Sequence, residues 1–149
     1  MASYAGKLRE FKKTALAQFV ECLKLDESNI NALTHGDCWL ANMMFRYGSD
    51  GSPKNVRLLD FQLTNYNNIG LDLQYFLNSS LNVEAQTRKL ELVETYYNKF
   101  KTSLELYGYS GDIPTFERIL ECYKKANALG LVCGLAILPY IVQPPESVA

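Results

Sequence analysis

The sequence predicts an α+β domain that is mainly helical and carries one small β-hairpin. Three observations support this. Apolar residues recur at three- and four-residue steps in two long stretches, the period of one helix face. Two short apolar runs flank Gly48-Ser49-Asp50-Gly51-Ser52-Pro53-Lys54-Asn55, a cluster that reads as the turn between paired strands. A chain of 149 residues suits one domain, long enough to bury roughly two-thirds of its unfolded surface.

The first helix is expected from about Tyr4 to Leu25. Leu8, Phe11, Ala15, Phe19 and Leu23 form its apolar stripe, and most charges fall elsewhere. Asp26-Glu27-Ser28-Asn29 ends it, and an apolar patch, Ile30 to Leu33, leads into His35. Asn42 to Tyr47 and Val56 to Phe61 are the expected hairpin arms, so Asn42 and Asp60 come to the same end of a small ribbon. Gln62 to Ile69, with three Asn and one Tyr, reads as a polar loop. Gly70-Leu71-Asp72 opens a short apolar helix.

Leu90, Val93, Tyr97, Phe100 and Leu104 mark a long helix from about Val83 to Tyr107, with Gly108 as its C-cap glycine. Pro114 suits the first turn of a last helical stretch, Thr115 to Leu138, which begins amphipathic and becomes apolar on nearly every side. That composition predicts burial in protein, since Leu129 to Val142 is shorter than the ~20 residues a bilayer requires. Pro139, Pro144 and Pro145 are expected to break the chain.

A formal charge of −1 with scattered basic residues gives no reason to expect nucleic acid or an anionic membrane as partner. Cys22, Cys38, Cys122 and Cys133 form no Cys-x-x-Cys pair and are too sparse for a disulfide scaffold, and there is a single His. Reduced thiols in a cytoplasmic protein, without a zinc site, are therefore expected. The N-terminus lacks the apolar run of a secretory signal; its mildly basic, amphipathic character leaves a mitochondrial presequence as the alternative.

The chemistry-bearing stretch is Thr34 to Phe61. Phosphoryl transfer from a nucleotide needs a carboxylate to position or deprotonate the attacking hydroxyl, and hard oxygen ligands for Mg²⁺ across the phosphates. In kinases an Asp is followed five residues later by a metal-binding Asn, and a second Asp ends the next strand. Asp37 and Asn42 have the first spacing, and Asp60, in Leu59-Asp60-Phe61, has the second position. By average residue frequencies, His-Gly-Asp-x-x-x-x-Asn arises by chance in about one in a few thousand chains of this length. The competing account is ordinary turn chemistry, with Asp37 capping a turn and Asp60 ending a strand.

His35, Gly36, Asp37, Trp39 and Asn42, followed by Asp60-Phe61-Gln62 and by Asp72-Leu73-Gln74-Tyr75-Phe76-Leu77, resemble the motifs of the ecdysteroid kinase-like (CHK kinase-like) family of the aminoglycoside and choline phosphotransferase group. The resemblance implies the C-terminal lobe of a protein-kinase-like fold, with the hairpin carrying the site. It implies Asp37 as catalytic base, His35 as brace of the catalytic loop, and Asn42 and Asp60 as the Mg²⁺ and cofactor ligands. Asp72 would hold the loop backbone from beneath. A helix cap is its simpler role, and Trp39 is expected to pack. Gly36 stands where protein kinases carry Arg, and Ala41 departs from the Asn often found beside the metal-binding Asn.

The implied cofactors are Mg²⁺ and ATP as phosphoryl donor, and the implied substrate is a small-molecule alcohol, ecdysteroid-like or otherwise lipophilic. Tyr66 and Tyr75 could line its pocket or serve as core. Residues 1–149 correspond to the C-terminal lobe, with the N-terminal nucleotide-binding lobe expected to be missing and to pack on this chain, and the C-terminus expected to be truncated. A non-catalytic remnant or binding module is the alternative function. Metal-dependent hydrolysis by Asp37 and Asp60 is a weaker third, for want of further ligands.

Overall fold

The computed structural model describes residues 2–141, with side-chain surroundings for 4–139. The expected architecture holds at the level of class: the chain is α+β, with helices over 57% of it and small antiparallel sheets. Helix α1 (Ala2–Cys22) ends three residues before its expected limit. Its Phe19 and Cys22 pack on a core cluster of Leu71, Ala126, Leu129 and Cys133. Leu8 and Leu23, at the ends of the stripe, stay largely exposed.

The hairpin pairs β2 (Met43–Tyr47) with β3 (Pro53–Leu58), in the register Met43 opposite Leu58 and Phe45 opposite Val56. A short 3₁₀ turn, Leu40–Asn42, precedes it. Leu59 N–H donates to the Asn42 carbonyl at 2.9 Å, so the ladder closes where the arms begin and end.

A second two-stranded sheet corrects the expectation of a single hairpin. The strands β1 (Asn31–Thr34) and β4 (Asn65–Asn68) pair antiparallel, Ala32 opposite Asn67. The expected polar loop therefore contains a strand, and its polarity misled because the asparagines are satisfied internally. Asn67 and Asn68 are buried. The Asn67 amide donates to the Leu23 carbonyl at 2.8 Å, and the Asn68 amide to the Cys122 carbonyl at 3.1 Å. Asn68 Oδ1 accepts the Gly70 N–H at 2.8 Å. Buried amides persist where their donors and acceptors find partners, and these tie the end of α1, the start of α2 (Gly70–Ser79) and the helix α5 (Phe116–Lys125) to one strand.

Helix α2 (Gly70–Ser79) is the central element. Its Ile69-to-Leu77 side joins Val93, Ile119, Cys122 and Tyr123 in the main core cluster. A Cβ on Gly70 would stand 2.2 Å from the Cys122 carbonyl oxygen, so only glycine lets α2 and α5 approach this closely.

The long helix expected over 83–107 is two: α3 (Val83–Gln86), capped by the Asn82 side chain on Ala85 N–H at 2.8 Å, and α4 (Lys89–Leu106). The break falls at Thr87 and Arg88, where the Thr87 hydroxyl donates to the Glu84 carbonyl at 2.7 Å and competes with the helical ladder. Val93 is fully buried, whereas Leu90 is exposed. Gly108 follows α4 at φ +71, and Tyr109 N–H closes back on the Leu104 carbonyl at 2.9 Å, the expected glycine-ended C-terminus.

The stretch from Thr115 onward is also divided, into α5 (Phe116–Lys125), α6 (Asn127–Val132), a π turn (Cys133–Ile137) and α7 (Leu138–Ile141). Thr115 is the N-cap, its hydroxyl accepting from Arg118 N–H, so Pro114 lies outside the helix rather than in its first turn. Pro139 sits inside α7 instead of breaking the chain. The wider π turn just before it is where the proline ring would otherwise press on the carbonyl one turn back. Pro144 and Pro145 lie outside the described residues. Burial is incomplete as well: Cys133 is fully buried, but Leu131 and Leu135 are exposed. Among the described residues no helix is long and apolar enough to cross a membrane.

Candidate active site

The loop between β1 and the 3₁₀ turn carries His35, Gly36 and Asp37, and α2 holds it from beneath. The Asp72 carboxylate accepts His35 N–H at 2.7 Å with one oxygen and Gly36 N–H at 3.0 Å with the other. Asp72 lies in the first turn of α2, where a negative charge is favoured by the helix dipole. Asp72 is not the cap of its own helix: it fixes the backbone of two consecutive loop residues.

His35 is buried, and both ring nitrogens are engaged. Nε2 lies 2.8 Å from the Leu59 carbonyl, and Nδ1 accepts Asp37 N–H at 3.3 Å. This pairing selects the neutral tautomer protonated at Nε2. The Phe61 ring packs against the imidazole at 4.9 Å between centroids. Through its two ring nitrogens His35 ties the loop to the end of the hairpin.

Gly36 has φ +82, and a Cβ there would meet the Leu63 carbonyl oxygen at 2.2 Å. The loop and the segment after the hairpin thus touch backbone to backbone, and no side chain fits. This is a steric reason for glycine at this position, independent of any regulatory role for the Arg of protein kinases.

Asp37 and Asn42 meet as their spacing suggests. The Asn42 amide nitrogen donates to Asp37 Oδ2 at 2.9 Å and to the Asp37 carbonyl at 3.0 Å. With its NH₂ spent on Asp37, Asn42 has Oδ1 free of hydrogen bonds among the described residues. The second carboxylate oxygen of Asp37 is also occupied: Tyr75 O–H donates to Oδ1 at 2.6 Å. Tyr75 is half-buried, and burial, then the bond to Asp37, pushes its phenol pKa well above the ordinary range. The neighbouring Cys38 thiol is pushed up to about 12 by burial and then by the Asp72 and Asp37 charges, so it stays protonated.

Asp60 arrives by a different route. No hydrogen bond joins its carboxylate to Asp37 or Asn42; it is exposed, and Gln62 Nε2 donates to it at 3.3 Å. Its backbone, one residue past the Leu59–Asn42 contact, has φ +60, the one described non-glycine residue in the left-handed region. Such a conformation costs of order 1 kcal/mol and tends to persist at functional sites.

Asn42 Oδ1 and the Asp60 carboxylate are hard oxygens at one end of the hairpin, a donor set that suits Mg²⁺, which keeps several waters and takes phosphate oxygens as further ligands. Among the described residues no three His, Cys, Asp or Glu side chains converge to make a complete metal cage. A cation here would draw its remaining ligands from what it binds.

Trp39 is half-buried, with its indole N–H buried and without a partner among the described residues. Tyr66, on β4, is exposed. Sequence reasoning missed the grip of Tyr75 on Asp37 and the Ser80 hydroxyl that accepts Leu40 N–H at 3.1 Å. The first had a signal: Asp72 and Tyr75 are three apart on one helix, hence on one face.

Residues 1–109 of the chain match the ecdysteroid kinase-like family. No match emerges among curated proteins or among solved structures. The chain belongs to the ecdysteroid kinase-like family, and that membership associates it with kinase-like phosphoryl transfer in general.

Proposed function

We propose that this member of the ecdysteroid kinase-like family supplies the base and the metal ligands for ATP-dependent phosphoryl transfer to the hydroxyl of a small lipophilic alcohol. The observation that carries the reading is the arrangement around Asn42. Its NH₂ is committed to Asp37, and its Oδ1 is left free at the hairpin end where Asp60 also stands.

In this reading Asp37 accepts the proton of the acceptor hydroxyl as that oxygen attacks the γ-phosphorus. A positioned base of this kind contributes about 10²- to 10⁴-fold. Asn42 orients the carboxylate, and His35 and Asp72 keep the loop from shifting. Mg²⁺, held by Asn42 and Asp60, would neutralise phosphate charge. Among the described residues, those before the loop form α1 and β1, with no glycine-rich strand pair to cover a nucleotide. The cover, and a strand lysine for the phosphates, would come from a partner lobe packed on this one. The exposed apolar residues of the hairpin, Met44, Val56 and Leu58 among them, suit such a contact.

The same observation favours a second reading, a binding module without catalysis. One experiment separates them. A polypeptide joining these residues to a nucleotide-binding lobe is given Mg²⁺, ATP and a panel of lipophilic alcohols, and phosphate transfer is followed. Transfer that falls about 10²- to 10⁴-fold in Asp37→Ala supports the base assignment. Transfer unaffected by that change refutes it, and binding of alcohol with no transfer at all establishes the module. The 149-residue chain alone is expected to show no turnover.

A further inference from the structure

Both oxygens of Asp37 are held, and from different elements. Asn42, at the end of the 3₁₀ turn, holds Oδ2 at 2.9 Å; Tyr75, on α2, holds Oδ1 at 2.6 Å. An Asp carboxylate rotates about a broad torsional minimum. One donor leaves that rotation largely open, whereas two donors on opposite oxygens close it. We propose that Tyr75 is a positioning residue for the base, fixing the plane of the Asp37 carboxylate so that its remaining lone pairs are held in defined directions for the incoming hydroxyl.

The setting of Tyr75 favours this role over simple packing. The ring lies against the cluster of Leu71, Ala126, Leu129 and Cys133, so its hydroxyl is carried on a rigid, well-packed helix. Asp72, three residues earlier on α2, grips the loop backbone at His35 and Gly36. The one helix thus sets both the path of the loop and the orientation of its reactive side chain. The ionisable groups facing the phenol are Asp37, Cys133 and Cys38. Burial and the Asp37 charge keep the phenol protonated, which preserves it as a donor. Each carboxylate oxygen offers two lone-pair directions, so a bound Tyr75 still leaves Asp37 able to accept a substrate hydroxyl.

The consequence for catalysis rests on the phosphotransfer reading above, but the test does not require activity. In the 149-residue chain, Tyr75→Phe keeps the ring and removes the hydroxyl. The side-chain amide of Asn42 is then followed by ¹⁵N NMR. Freed rotation of Asp37 weakens its bond from Asn42, and exchange of the Asn42 amide protons with water should rise about fivefold, the equivalent of one ordinary hydrogen bond. The Gly36 backbone amide, held by Asp72, serves as the control for an unchanged loop.

From the other side, Asp37→Asn in chain labelled at tyrosine ¹³Cζ should let Tyr75 ionise at a lower pH than in the parent. Unchanged Asn42 exchange in Tyr75→Phe overturns the proposal, as does a Tyr75 ionisation indifferent to Asp37→Asn. If the Gly36 amide also moves in Tyr75→Phe, the Asp37→Asn arm decides. In an active preparation, Tyr75→Phe should lower kcat about ten- to hundredfold with the KM for ATP unchanged, the loss of one hydrogen bond to a charged group. A failure of the phosphotransfer reading would appear as absent transfer with both NMR results intact.

Discussion

Removing the Asp72 carboxylate should loosen the loop of His35 and Gly36 and cost the fold a measurable share of its stability. In the native chain this one side chain accepts two backbone donors, His35 N–H at 2.7 Å and Gly36 N–H at 3.0 Å. Hydrogen bonds to a charged group contribute about 1.5–3 kcal/mol each. The side chain is only partly buried, so water can reach the freed donors and the lower figure applies. Asp72→Ala is therefore expected to cost about 3 kcal/mol, against a typical total of about 5–15 kcal/mol.

Asp72→Asn is expected to cost about 2 kcal/mol, because its amide oxygen can still accept one N–H while its NH₂ confronts the other. With a urea dependence of about 2 kcal/mol per molar, the alanine variant should unfold at a midpoint lower by about 1.5 M. Amide exchange of His35 and Gly36 should accelerate in both variants, ahead of the amides in α4. A midpoint within about 0.5 M of the parent, with His35 and Gly36 as protected as before, would refute the assignment of Asp72 as the anchor of the loop.

The close approach at Gly36 makes a second prediction. Gly36→Ala places a Cβ 2.2 Å from the Leu63 carbonyl at a backbone φ of +82, so the left-handed penalty and the clash together should cost about 3 kcal/mol and lower Tm by about 10 °C. A change under about 2 °C, read by thermal scanning, would mean that the loop and the segment after the hairpin do not touch as described.

Stability should also respond to acid through Asp26. Its carboxyl is held down to about 2 by Ser28 and then by Lys125, whose Nζ lies 3.1 Å away. The folded pKa lies below the unfolded one, so between about pH 4 and pH 2 the unfolded chain binds more protons and stability rises with pH. The contribution is fully present above pH 4, is lost as pH falls through 2, and is small and salt-sensitive because the group is exposed. Asp26→Asn should flatten the urea midpoint against pH in that window, and superimposable curves would show that Ser28 and Lys125 do not hold Asp26 in solution.

The parts of the fold that could be read from the chain are those whose signal is local. The hairpin is announced by its turn chemistry, α2 by Gly70-Leu71-Asp72, and the end of α4 by Gly108, because each depends on residues within a few positions of one another. The second sheet was hidden, since Asn67 and Asn68 look like loop residues until Leu23 and Cys122, far away in sequence, supply their hydrogen-bond partners. The breaks in the two long helical stretches were hidden for a related reason. Periodicity runs across a cap or a π turn without interruption when the apolar residues on both sides face the same core.

For the site, the spacing of Asp37, Asn42 and Asp60 already suggests the kind of chemistry proposed, since Asn42 and Asp60 flank the two arms of one hairpin and come to the same end of it. What spacing could not convey is how each group is held. The Tyr75 bond to the second oxygen of Asp37, the double grip of Asp72 on the loop, and the exclusion of any side chain at Gly36 join residues 27 to 38 positions apart. The Tyr75 and Asp72 contacts exist only once α2 has packed beneath the loop. Which of these side chains fall near one another is a property of short-range sequence, and their orientation is a property of long-range packing.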